Sequence, residues 1–229
     1  MEGEKVIGTL VNMGTIVAGS LIGGMVKKVL KEEYSQGLFI AMGLAAFGLG
    51  INTVVQNMPD SNYPVLFIAS LALGTLTGTV LKIDERVNNL TSKQKDGGKL
   101  WQGIVTGSLI FCVGTLSILG PVQSALYHDH TFLFTNAMLD FVTSMVFAST
   151  YGIGMVLAAG ILFLWQGSIY GITMLLGDFI TDNMMTELSI VGGFLILSSG
   201  LAILNIKDCK TLNMLPALIV PVIWCAIMG

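Results

Sequence analysis

The sequence predicts an all-α integral membrane protein of about eight transmembrane helices, with an inverted-topology repeat setting helices 1–3 against helices 6–8. Three observations point there. Of the 229 residues 53% are hydrophobic and only 11% charged, whereas a soluble domain is about a quarter charged because its surface must face water. The mean hydropathy is +0.80, and apolar stretches recur at the length of a bilayer crossing, about 20 residues. Finally, the two ends of the chain resemble each other.

The first apolar stretch follows Met-Glu-Gly-Glu-Lys without an A-x-A-like cleavage site, so it reads as a transmembrane helix and not as a signal peptide. Further stretches lie at roughly 6–26, 36–56, 63–81, 101–121, 137–157, 159–178, 187–205 and 213–228. Between 137 and 178 the apolar sequence suffices for two helices, with Gly152, Gly154 and Gly160 available for the turn. Charge fixes the count. Lys27, Lys28 and Lys31 follow the first span, Lys82, Arg86, Lys93, Lys95 and Lys99 the third, and Lys207 and Lys210 separate the last two. The other loops hold Asp60, Asp129, Asp182 and Glu187, without Lys or Arg. Cytoplasmic loops collect basic residues, so residues 137–178 must cross an even number of times. Eight helices result, with basic loops inside and both termini outside.

The whole chain, 1–229, then forms one polytopic domain: repeat one at about 6–85, central helices at 101–157, repeat two at about 159–229. Gly43 and Gly50 recur as Gly193 and Gly200 at a common offset, Asn62-Tyr-Pro-Val-Leu66 echoes Asn213-Met-Leu-Pro-Ala-Leu218, and Gly14-Thr-Ile16 echoes Gly167-Ser-Ile169. Inverted repeats are a habit of secondary transporters, which bind substrate near the midplane.

The 28 glycines include GxxxG pairs at Gly19/Gly23, Gly74/Gly78, Gly103/Gly107 and Gly167/Gly171. Lipid gives helices no hydrophobic reason to associate, so small residues that let backbones approach mark packing faces. These are read as contacts chiefly within the chain, and a homodimer is compatible with them.

Polar residues at depth are costly and each needs an account. Asp140 is the only carboxylate well inside a span, placed a few residues from the outer end of the fifth. Asn136, Asp140 and Ser144 share one helix face at i, i+4, i+8, with Thr143 beside them. This face is a lined path or titratable site, or else a headgroup-level carboxylate bonded to a neighbouring helix. Asn12 in the first span and Gln166 in the sixth are ion or solute ligands, or interhelical hydrogen bonds. His128-Asp-His130 is too short a fragment for a metal site, Cys112, Cys209 and Cys225 are scattered packing residues, and no cofactor motif appears. Without a basic tract carrying interleaved aromatics, nucleic acid is excluded as a partner. The lipid bilayer and a small solute or ion remain.

The residues Gly8-Thr-Leu-Val-Asn12, Phe111-Cys-Val-Gly114, Leu119-Gly120, Leu139-Asp140, Phe147-Ala-Ser149, Gly152-Ile-Gly154, Gln166-Gly167, Gly192-Gly193 and Asn213-Met-Leu-Pro-Ala217 stand in order along nearly the whole chain. In them the sequence resembles a bacterial membrane family designated domain of unknown function 554, the YqgA/YdfK-like proteins. The resemblance implies a multi-pass protein of the bacterial plasma (inner) membrane. One departure is that members of the family often carry Lys where this chain has Asn136, so Asp140 loses that ion partner. Functionally the sequence reads first as a transporter or channel for a small solute or ion, with a path lined by Asn12, Asn136, Asp140, Thr143, Ser144 and Gln166. The alternative is a non-catalytic membrane subunit that anchors or regulates a partner through the basic 82–100 loop. No nucleophile–base pair or metal constellation suggests an enzyme.

Overall fold

A computed structural model describes residues 7–25, 32–92, 104–105, 107–108, 110–112 and 114–228. The basic residues Lys5, Lys27, Lys28, Lys31, Lys93, Lys95 and Lys99, and Gly103, lie outside the described residues. The fold is all-helical: α1 (Ile7–Met25), α2 (Glu32–Asn57), α3 (Leu66–Val80), α4 (Ile83–Ser92), α5 (Thr115–Tyr127), α6 (Thr131–Tyr151), α7 (Val156–Leu175), α8 (Asp182–Ile203), α9 (Thr211–Met214) and α10 (Ile219–Met228). The described residues of the stretch 104–112 are also helical.

Among the described residues six helices are long and apolar enough to cross a membrane, and a seventh crossing results if Leu66–Val80 and Ile83–Asn89, bent by 47°, count as one span. The expected eight therefore differ in two places. At 15 residues α3 rises only about 22 Å, short of the ~30 Å hydrocarbon core, and the chain bends at Lys82, whose φ is 53°. The stretch expected as one span at 101–121 is broken: Gly114 is extended (φ −67°, ψ 146°) and a new helix starts at Thr115 and runs to Tyr127. Averaged hydropathy does not register such a break.

The stretch 137–178 does form two helices, α6 and α7, each long enough to span. Only Gly152 serves as the breaker. It adopts φ 98° and ψ 174°, a region open essentially to glycine alone, whereas Gly160 sits inside α7.

The chain divides into two compact units that do not follow the linear halves. Unit 1 takes residues 1–39 and 87–177, and unit 2 takes 40–86 and 178–229. In unit 1, α1 runs parallel to α6. Gly8 abuts Leu133, Gly19 meets Ser144 Oγ and the Phe141 carbonyl, and Gly23 meets the Met145 carbonyl. Gly107 abuts the Met155 methyl group. An apolar core of Ile16, Phe111, Ala148, Met155, Ala158 and Leu162 lies between these helices.

In unit 2, α2 and α8 run antiparallel through glycines. A methyl group added at Gly43 would lie 2.8 Å from Leu204 Cγ, one at Gly193 2.8 Å from Val54 Cγ2, one at Gly50 2.5 Å from the Leu197 nitrogen, and one at Gly200 2.6 Å from the Phe47 nitrogen. Gly74 meets the Ala217 backbone and Gly78 the Asn213 carbonyl. Phe67 stacks on Phe194 with ring centroids 4.9 Å apart. At one end Asn213 Oδ1 accepts from the Asp84 N–H at 2.9 Å, and Lys210 reaches Asp84 at 3.3 Å and Asp208 at 2.6 Å. Hydrogen bonding to Lys210 holds the Asp208 carboxyl below the usual carboxylate range.

At Gly167 and Gly171 the expected close approach is not seen among the described residues: an added Cβ at either, or at Gly160, meets none of their atoms within 4 Å. GxxxG spacing defines a helix face but not a partner. Since Gly23 and Gly78 oppose backbone atoms that cannot swing aside, Gly23→Ala and Gly78→Ala should each cost about 1–3 kcal/mol. Gly167→Ala should stay within about 0.5 kcal/mol. Thermal unfolding in detergent micelles compares them, and equal effects would show that the close approaches do not carry the packing.

Candidate functional site

In α6, Asp140 is the tenth of 21 residues. It lies mid-helix, deeper than the outer-end position expected, because α6 begins at Thr131, several residues upstream of the anticipated start. It is 5% exposed. One turn earlier Asn136 Nδ2 donates to Asp140 Oδ2 at 2.7 Å, the i, i+4 contact that the helix repeat provides. The glycine-mediated approach of α1 brings Asn12, fully buried, to the same carboxylate. Asn12 nevertheless closes no well-formed hydrogen bond: both its Oδ1 and Nδ2 are without a partner among the described residues. The Cys112 thiol stands within electrostatic reach of Asp140.

Around this centre unit 1 holds further unsatisfied polar groups. Gln166 Nε2 donates to Ser117 Oγ at 3.2 Å, but its Oε1 has no partner. The same holds for the buried hydroxyls of Thr9, Ser20, Thr115 and Tyr170, and for Ser108. Every such orphaned side-chain atom among the described residues belongs to unit 1. Native interiors leave few polar groups unpaired, and each one calls for an explanation.

Charge sharpens the picture. The described residues of unit 1 include no Lys or Arg. Its two histidines stand at the turn between α5 and α6, where His130 Nδ1 lies 2.9 Å from Ser124 Oγ. Within the described residues, Asp140 thus has amide company and no fixed cation. An ionised carboxylate at membrane depth without a counter-charge is costly. No group of three or more His, Cys, Asp or Glu gathers among the described residues.

The structure brings Asn12, Asn136 and Asp140 together and places Gln166 in the same unit. Ser144 uses its hydroxyl on the Phe141 carbonyl at 2.9 Å and closes against Gly19. Thr143 is half-buried at the edge of the face. Sequence reasoning passed over Ser117, Thr9 and Thr115. Thr9 was detectable, since it lies one turn before Asn12 on the same face.

Glu187 requires a correction. It was expected in an outer loop, but it lies in α8 and is 1% exposed. The preceding polar run is the helix start itself, with Thr181 accepting from the Met184 N–H at 3.2 Å as N-cap. Glu187 Oε1 accepts from Ser61 Oγ at 2.6 Å and from the Tyr63 N–H at 3.1 Å, tying α8 to the turn before α3.

Residues 7–226 match the family model described as "Protein of unknown function (DUF554)", and the chain belongs to that family, as the resemblance led one to expect. It is 52% identical over 214 residues to the uncharacterized membrane protein YdfK of Bacillus subtilis (strain 168), covering 93% of each chain. It is 30% identical over 224 residues to the uncharacterized protein YqgA of Escherichia coli (strain K12), covering 93% of this chain and 94% of that one. No solved structure matches.

Because Glu187 satisfies a hydroxyl and a backbone N–H, Glu187→Ala should lower stability by about 1–3 kcal/mol. Glu187→Gln keeps an acceptor oxygen and should lose less than half of that. Thermal unfolding of the two variants decides, and an unchanged Ala variant would mean the bonds contribute nothing net.

Proposed function

We propose that this member of the DUF554 family is a multi-pass membrane transporter or channel for a small solute or ion, not an enzyme, and that unit 1 carries its path. The observation behind this reading is Asp140 at mid-helix in α6, beside amide groups that lack partners and, among the described residues of its unit, without a Lys or Arg. Such groups are expensive in a membrane unless a passing ligand engages them. Carboxamide and hydroxyl oxygens on α1, α5 and α7 are suited to replacing part of a solute's hydration shell.

An inverted repeat fits the same picture. The contact of Gly43 with Leu204 maps onto that of Gly193 with Val54 when each residue is shifted by the offset relating the halves. The contact of Gly50 with Leu197 maps likewise onto that of Gly200 with Phe47. This exchange is what a pseudo-two-fold axis in the membrane plane would produce. The orientation with basic loops in the cytoplasm of the bacterial inner membrane and both termini outside rests on the placement of Lys and Arg. An even number of steps between α1 and α6 and an odd number between α2 and α8 fit the parallel and antiparallel runs of their glycine contacts.

The competing reading is a membrane subunit that anchors a partner through the basic loop. One observation favours it: α4 opens that loop as a largely exposed, polar helix. The two separate in proteoliposomes loaded with ions and small solutes. Transport predicts that Asp140→Asn lowers flux more than tenfold while Glu187→Gln retains it. A subunit predicts no flux, a silent Asp140→Asn, and loss of function in cells on deleting residues 82–100.

Orientation is tested by thiol labelling. A membrane-impermeant maleimide should label Asp129→Cys in intact cells, whereas native Cys209 should react only after permeabilisation. The reverse pattern overturns the topology.

A further inference from the structure

We infer that Asp140, Asn12 and Asn136 form a binding site for a single alkali-metal cation, which exchanges with a proton on the carboxylate. The inference deepens the transport reading and rests on it for the cation's role as cargo or coupling ion, though occupancy of the site can be measured without flux.

The first argument is charge balance. Of the elements packed around α6, α1 carries no titratable side chain, α5 carries only Tyr127 and α7 only Tyr170. The described part of 104–112 carries Cys112, and α6 itself carries Tyr151 besides Asp140. None of these other groups is a carboxylate, an amine, a guanidinium or an imidazole. Asp140 is therefore the one carboxylate on these helices, and when it ionises one monovalent cation cancels its charge. A divalent ion would leave excess positive charge at depth. Such ions usually gather several oxygen ligands, carboxylates prominent among them, and no acidic cluster accompanies Asp140 among the described residues.

The second argument separates a metal cation from a permanently held proton. A proton needs only the carboxylate. Asn12, however, is fully buried beside that carboxylate, and among the described residues neither its Oδ1 nor its Nδ2 closes a well-formed hydrogen bond. A cation between Asp140 and Asn12 takes the carboxamide oxygen as a ligand. Asn136 meanwhile steadies the carboxylate through its 2.7 Å hydrogen bond to Oδ2. Carboxylate and carboxamide oxygens are hard donors, matched to alkali cations and not to soft metals. When the cation enters, the carboxyl O–H breaks and its proton leaves to solvent, so one positive charge replaces another and the site stays neutral.

The test uses the full-length protein in detergent. Thermal unfolding is recorded at constant ionic strength with choline chloride replaced by LiCl, NaCl or KCl, at about pH 8.5 and about pH 5.5. At least one alkali cation should raise Tm by several degrees over choline at the higher pH. Where the site is protonated, its half-maximal concentration should rise about tenfold for each unit of falling pH. Asn12→Ala should raise that concentration at least tenfold, and Asp140→Asn should abolish the response while still unfolding cooperatively. The inference is overturned if no alkali cation differs from choline in the wild type, if only ammonium ions stabilise, or if Asp140→Asn keeps the response. Should Asp140→Asn not fold, the wild-type panel and Asn12→Ala still decide. Flux that ignores the cation, together with no shift in Tm, sinks the site and leaves transport standing. A clear cation-dependent shift without any flux sinks transport and leaves the site.

Discussion

Inside a bilayer, helices gain nothing from hiding apolar surface, because lipid is as apolar as leucine. What holds this chain together is therefore close backbone contact, and glycine is the residue that permits it. Gly19 and Gly23 lay α1 along α6, Gly43 and Gly50 lay α2 along α8, and Gly74 and Gly78 seat α3 on the segment 213–217. The candidate site follows from this constraint. Once Gly8, Gly19 and Gly23 fix the α1–α6 seam, the helix repeat leaves Asn12 on the inner face of α1 opposite the stretch that holds Asn136 and Asp140.

The two units solve the polar problem differently. In unit 2 buried hydroxyls are consumed locally or in pairs. Ser70 bonds the Leu66 carbonyl, Thr53 the Leu49 carbonyl, and Ser198 pairs with Thr211 at 2.6 Å. Unit 1 uses Ser144 and Ser149 in the same local way, yet leaves Asn12 and the Gln166 oxygen open. A carboxamide is a poor choice for pure packing, since it brings a donor and an acceptor that must both be satisfied. Two of them stand in mid-helix in unit 1, both buried and both incomplete among the described residues, and this is what the transport reading draws on.

Much of this was legible beforehand, for physical reasons. Apolar length and the basic loops identified the α6–α7 hairpin, because a bilayer imposes both span length and charge placement. Asn12, Asp140 and Gln166 stood out as polar letters in apolar runs. What escaped was local. Glu187 was grouped with Asp182 in a loop, although Thr181 followed by Asp and Asn is also how a helix begins. The break at Gly114 depends on one residue's dihedrals, which an averaged hydropathy window smooths away. Gly167 and Gly171 looked like a seam because spacing reports a face, whereas contact requires knowing what stands opposite.

The two buried carboxylates make the strongest contrast. Glu187 is met by a hydroxyl and a backbone N–H, donors fixed by the Ser61–Tyr63 turn, so its carboxyl group is hydrogen-bonded by the fold and joins two elements. Asp140 is met by one Asn136 N–H and by an Asn12 that has not closed a bond. Replacing a poorly compensated buried carboxyl group with packed hydrophobic atoms is often neutral or stabilising. Among the described residues the shell around Asp140 is thus incomplete. On the cation-binding reading proposed above, an ion that completes the shell recovers that cost on binding.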